Sequence, residues 1–179
     1  MLERHVHPVV NARVEPPAAP LQHALERAAH LVLDERGRIV QGRKDALVAL
    51  RQLFESGARL VTLTGPGGMG KTFLARVFAE QQAPAFLGDA SAWFCDLQGA
   101  RNREEMLRAA SEALGIVVSG AEADDDTSAV GKEIAALGPC LILLDNFEQL
   151  VDSASDVVET WLGLAREARF LVTSQALLG

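Results

Sequence analysis

Long apolar runs are missing from this chain of 179 residues: no stretch of about 18 apolar residues occurs, so no helix is expected to span a membrane. The amino terminus, MLERHVHPVV, has no apolar run behind its charges and does not read as a secretory signal. A cytoplasmic location is therefore the default expectation. Cysteine is scarce. Cys95 and Cys140 both lie in apolar, strand-like segments and read as buried free thiols, and nothing suggests the oxidising compartment that a disulfide needs. The four histidines, His5, His7, His23 and His30, all precede residue 31, and their lack of any ligand spacing with a cysteine argues against a metal site there. Clustered basic residues are missing too. Net charge is −7, divided into +3 over residues 1–88 and −10 over residues 89–179. Duplex DNA binding depends on clustered Lys and Arg against phosphates, so no direct nucleic-acid binding is expected from this region. No Asn-Lys-x-Asp run occurs, which argues against guanine recognition.

What is present is enough for a core. Apolar residues make up 49% and charged residues 23%, the balance of a globular chain of one or two domains. Residues 1–20 hold Pro8, Pro16, Pro17 and Pro20 and read as an extended arm or linker. Residues 21–33 place Leu21, Leu25, Ala28, Ala29 and Val32 on one helical face, and residues 44–56 form a second helix stopped at Gly57. Residues 21–57 are thus expected to be a helical segment, with a short extended piece at 38–41. Beyond residue 58 the pattern alternates. Strands are expected at 59–64, 91–97, 139–146 and 168–174. Helices are expected at 71–82, 102–114 (capped by Asn102 with Glu105, closed by Gly115), 125–137 and 153–167. Such alternation means an α/β fold with a parallel sheet between helical layers.

The strand RLVTLT runs into Gly65-Pro66-Gly67-Gly68-Met69-Gly70-Lys71-Thr72, which fits Gly, four residues, Gly-Lys-Thr. Glycines permit the turn and bring backbone N–H groups close to an anion. The following helix points its positive end at the phosphates. In this pattern the lysine, Lys71, reaches the β and γ phosphates and the hydroxyl of Thr72 ligates Mg²⁺. ATP or ADP with Mg²⁺ is the expected ligand.

A second strand must supply an acidic residue for the metal. LILLDN places Asp145 at the C-terminal end of a continuous apolar strand, the edge at which parallel sheets bind ligands. Hydrolysis also needs a group that orients water. Asn146 follows Asp145 and cannot take a proton as a carboxylate does. Glu148 either substitutes for it or is an ordinary helix-start carboxylate. The last strand ends in Thr173-Ser174-Gln175, polar residues that either sense the γ-phosphate or simply face a loop. Slow hydrolysis, with ATP held more than turned over, is expected.

Together, Val40-Gln41-Gly42-Arg43, GPGGMGKT, LILLDNFEQL and RFLVTSQ resemble the motifs of the STAND class of AAA+-related signalling ATPases, specifically NB-ARC-like bacterial regulators. The resemblance covers residues 38–179. It implies a P-loop NTPase fold whose four parallel strands lie in the order 91–97, 139–145, 168–174, 59–64, with Val40, Gly42 and Arg43 against the adenine side of the nucleotide. It also implies a switch in which ADP holds a closed monomer and ATP permits a homo-oligomer, within a larger transcription regulator, defence protein or kinase whose other domains are its partners. Two departures stand out. Gln175 occupies the place of an arginine that touches the γ-phosphate. The chain also stops at Gly179, before the family's fifth strand, lid and winged helix, so a truncated core at 58–179 within a longer protein is expected. A loader or motor ATPase acting on nucleic acid, and a non-hydrolysing interaction scaffold, are the alternatives.

Overall fold

The computed structural model of the chain describes residues 10–11, 29–32, 42–81, 91–116 and 123–175. In chain order the elements are β1 (Val10–Asn11), β2 (Ala29–Val32), α1 (Gly42–Glu55), β3 (Leu60–Thr64), α2 (Lys71–Gln81), β4 (Ala92–Asp96), α3 (Arg103–Leu114), α4 (Ala123–Ala136), β5 (Cys140–Asp145), α5 (Val151–Leu164) and β6 (Ala168–Ser174), with a single 3₁₀ turn at Phe147–Gln149 after β5. The sheet order is β1-β2-β3-β6-β5-β4. Four consecutive members, β3, β6, β5 and β4, are parallel and stand in the order expected from the resemblance.

The side-chain period of two sorts the sheet into two faces. Ile142, Leu144, Phe170 and Val172 join Met106, Ile134, Val157 and Trp161 on one face, under α3, α4 and α5. Leu141, Leu143, Val61, Leu63 and Leu171 join Leu50, Phe54 and Phe78 on the other, under α1 and α2. All five residues of β3 and all six of β5 are buried, as a strand covered on both faces requires. The helix ends follow local chemistry. Asn102 caps α3 by accepting from the Glu105 N–H at 3.0 Å, and Glu105 accepts from the N–H of Arg101 at 2.7 Å. Gly115 closes α3 at φ 69°, the left-handed conformation that suits glycine. At the far end of α5, the Arg59 guanidinium donates to the carbonyls of Leu162 and Ala165 at 2.8 and 2.7 Å, satisfying groups that have no partner within their own helix.

Two expectations change at the amino-terminal side. Ala29–Val32 is a strand, not the end of a helix over 21–33: it pairs in parallel with β3, Leu31 opposite Leu63. A short apolar run satisfies either period, and pairing with an open sheet edge decides it here. Val10–Asn11, inside the expected proline-rich arm, pairs antiparallel with β2. The sheet therefore carries two strands beyond the four expected. The extended piece at 38–41 lies outside the described residues.

Cys95 and Cys140 are free and buried in β4 and β5. Desolvation raises their thiol pKa to about 12 and about 11, so both stay protonated, and weakly nucleophilic, at any pH near neutrality. At pH 8 an aromatic disulfide reagent should label neither thiol in the native protein and two per chain in denaturant; rapid native labelling would contradict this packing.

Candidate functional site

The site lies at the C-terminal ends of β3, β5 and β6. The loop 65–70 leaves β3 with Gly68 and Gly70 at φ 76° and 82°, values that a side chain strains against and glycine does not. The Gly70 carbonyl accepts from the Leu74 N–H in the first turn of α2 at 2.8 Å. This starts the helix at Lys71, so its N-terminal amides face the loop. Lys71 is only 8% exposed. Its Nζ donates to the carbonyls of Gly65 and Pro66 at 2.6 and 2.9 Å. Burial pushes its pKa down, while Glu148 and then Asp145 push it back up. The result is a desolvated cation over a turn of backbone, beside two carboxylates, which is an arrangement suited to an anionic ligand.

Asp145 is 3% exposed. Its carboxylate accepts from Thr72 Oγ1 at 2.8 and 2.9 Å, from Thr173 Oγ1 at 2.5 Å and from Asn146 Nδ2 at 3.2 Å. Thr173 in turn accepts from the Asn146 N–H at 3.0 Å. The oxygens of Thr72 and Asp145 are hard donors within one ligand sphere of each other, so the residues fit Mg²⁺, which prefers carboxylate, hydroxyl and phosphate oxygens and keeps several waters.

The expected site residues divide into groups. Thr72, Asp145, Asn146 and Thr173 form one hydrogen-bonded cluster, with Lys71 across the loop. Thr173 faces Asp145, so in this structure it serves the carboxylate. Ser174, buried, ends β6 opposite Thr64. Pro66, Gly67 and Gly68 are exposed, Gly65 is buried, and Met69 and Gly70 are partly so. Glu148 and Gln175 stand beside the loop and bond to each other: Gln175 Nε2 donates to Glu148 Oε1 at 3.0 Å. That pair could not be read in advance, because 27 residues separate its members and the β5–β6 pairing brings them together. Gly42 and Arg43 open α1; Val40 and Gln41 lie outside the described residues.

Removing the Thr173 hydroxyl while keeping its shape leaves the Asn146 N–H without its acceptor and Asp145 short of a donor. Thr173→Val is expected to lower unfolding stability by about 1–3 kcal/mol, measured by urea titration; an unchanged midpoint would show that water replaces both bonds.

Comparison with known proteins places this geometry. The family model described as an AAA domain matches residues 54–173, a span that contains the loop, Asp145 and Thr173. Uncharacterized proteins of Mycobacterium tuberculosis and Mycobacterium bovis are 34% identical over 139 residues, covering 77% of this chain and 34% of their own length. The chain thus spans about a third of these relatives. Among solved structures, the ORC2 protein of Aeropyrum pernix, in ADPNP–ADP complexes, superposes with a TM-score of 0.54 at 21% identity, over 86% of this chain and 44% of that one. That likeness concerns the fold. With the family model covering most of the chain and the phosphate loop in place, this protein belongs to the AAA domain family of P-loop ATPases.

Proposed function

We propose that the chain is the nucleotide-binding part of a regulatory ATP/ADP switch of STAND type, in a larger signalling or transcription-regulating protein, holding ATP with Mg²⁺ and hydrolysing it slowly. In this reading the loop Gly65–Thr72 cradles the phosphates, Lys71 neutralises the β and γ groups, and Thr72 and Asp145 hold the metal, which supplies charge neutralisation during phosphoryl transfer. Val40, Gly42 and Arg43 line the adenine side. Partners are the remaining domains of the parent protein and, in the ATP state, further copies of it, in the cytoplasm. The small share of its relatives' length that this chain spans supports a multidomain parent.

The observation that carries the slow switch is the residue after Asp145. Asn146 turns its amide onto the Asp145 carboxylate, so the position adjoining the metal ligand offers a donor and no base. Among the described residues, the other carboxylate whose field reaches Lys71 is Glu148, and its oxygens accept from Gln175. A loader or motor ATPase acting on nucleic acid is the second reading, favoured by the shared fold with ORC2 and opposed by the acidic balance of the chain.

Titration with a fluorescent ATP analogue should give Mg²⁺-dependent binding that Lys71→Ala weakens by about 100-fold or more. Turnover should stay well under about one per second, the low end of the enzymatic range, and should not respond to DNA. Absence of binding in the wild type would remove the reading; strong DNA stimulation would replace it with the alternative.

A further inference from the structure

Glu148 sits in the 3₁₀ turn after β5, and Gln175 directly follows β6. Neighbouring parallel strands bring these two ends side by side. Gln175 donates twice to one carboxylate: Nε2 to Oε1 at 3.0 Å and the backbone N–H to Oε2 at 3.3 Å. Two donors on two oxygens set the orientation of the carboxylate as well as its position. The Gln175 carboxamide also rests on the phosphate loop. A Cβ built on Gly67 would stand 3.3 Å from Gln175 Oε1 and 3.6 Å from its Cδ, so glycine at 67 leaves the room in which this carboxamide lies. Glu148 is partly exposed where Asp145 is buried. It is therefore the carboxylate that water can reach while the lysine of the loop feels its charge.

We propose that Gln175 is a positioning residue: seated against Gly67, its carboxamide holds the Glu148 carboxylate at the mouth of the phosphate loop as the group that orients the attacking water. The inference rests on the ATP-site reading above and names the regulation of that site. In the step it serves, the water oxygen bonds to the terminal phosphorus. The bond from that phosphorus to the bridging oxygen breaks, its electron pair leaving with ADP. The water proton passes to Glu148, which releases it to solvent. A neutral amide suits the task. It fixes a carboxylate by hydrogen bonds without the bidentate ion pair that an arginine at 175 would form.

The test is single-turnover hydrolysis with protein in excess, alongside ATP and ADP titrations, for wild type, Gln175→Ala, Gly67→Ala, Glu148→Gln and the Gln175→Ala/Glu148→Gln double variant. Glu148→Gln is expected to slow hydrolysis about 100-fold. Gln175→Ala should slow it about 10-fold, with ADP affinity within about twofold of wild type, and Gly67→Ala, which crowds the Gln175 carboxamide within the loop itself, should slow it at least as much. The double variant should match Glu148→Gln alone, because removing the positioned group leaves nothing to position. Wild-type rates in Gln175→Ala or Glu148→Gln, or losses that multiply in the double variant, would overturn the proposal. So would a wild type that binds ATP through Lys71 yet never hydrolyses it, and that outcome leaves the nucleotide site standing. Loss of Lys71-dependent binding itself marks failure of the underlying reading instead. Gln175 is exposed, so its replacement leaves the core intact; Gln175→Asn, which keeps the amide but shortens the reach, should fall between wild type and alanine.

Discussion

The Asp145 carboxylate is the fixed point around which the site is arranged. A charge this deeply buried is costly unless hydrogen bonds replace its water, and here the donors come from three different elements. Thr72 brings the first turn of α2, Thr173 brings the end of β6, and Asn146 brings the turn after β5. The loop 65–70 is strung between β3 and α2, so anchoring Thr72 also sets how far Lys71 stands from the strand ends. Satisfying one anion thus fixes the mutual position of the parts that would meet a nucleotide.

The same arrangement explains why the Gly65–Thr72 loop and the Glu148–Gln175 pair differ in how they are encoded. The loop is local. Glycines, a lysine and a threonine within eight positions, between an apolar strand and a helix, specify a loop geometry almost without reference to the rest of the chain. The Glu148–Gln175 pair depends on register. Glu148 meets Gln175 only because β5 and β6 are adjacent and parallel, with Leu144 opposite Val172, so one step of slippage would part them. The loop can thus keep its shape while the pair beside it changes at positions far apart in sequence.

That difference also marks how much could be read in advance. The four core strands were legible because LVTLT, AWFCD, CLILLD and ARFLVTS are apolar runs bounded by helical patterns. Their helices were legible from Asn102, Gly57 and Gly115 at the ends. The strand at Ala29–Val32 was not, since four residues cannot distinguish a period of 2 from one of 3.6, and its identity comes from pairing with β3. Thr173 was recognised as a polar strand end, but its actual partner, Asp145, follows from strand order and from the depth at which each strand stops. Cys95 and Cys140 behave as their apolar neighbours suggested, both free and buried.

Asn146 carries a consequence of its own. At φ 64° and ψ 48° it is the one non-glycine among the described residues with a left-handed backbone, a conformation asparagine tolerates better than most and that costs a longer or branched side chain about 1 kcal/mol or more. The turn that aims its amide at Asp145 is therefore a turn selected for asparagine. A glutamate placed there would arrive on a backbone that points it back toward Asp145, carboxylate against carboxylate. The route from this architecture to a fast ATPase does not run through that single exchange; it requires the strand to end in a different shape.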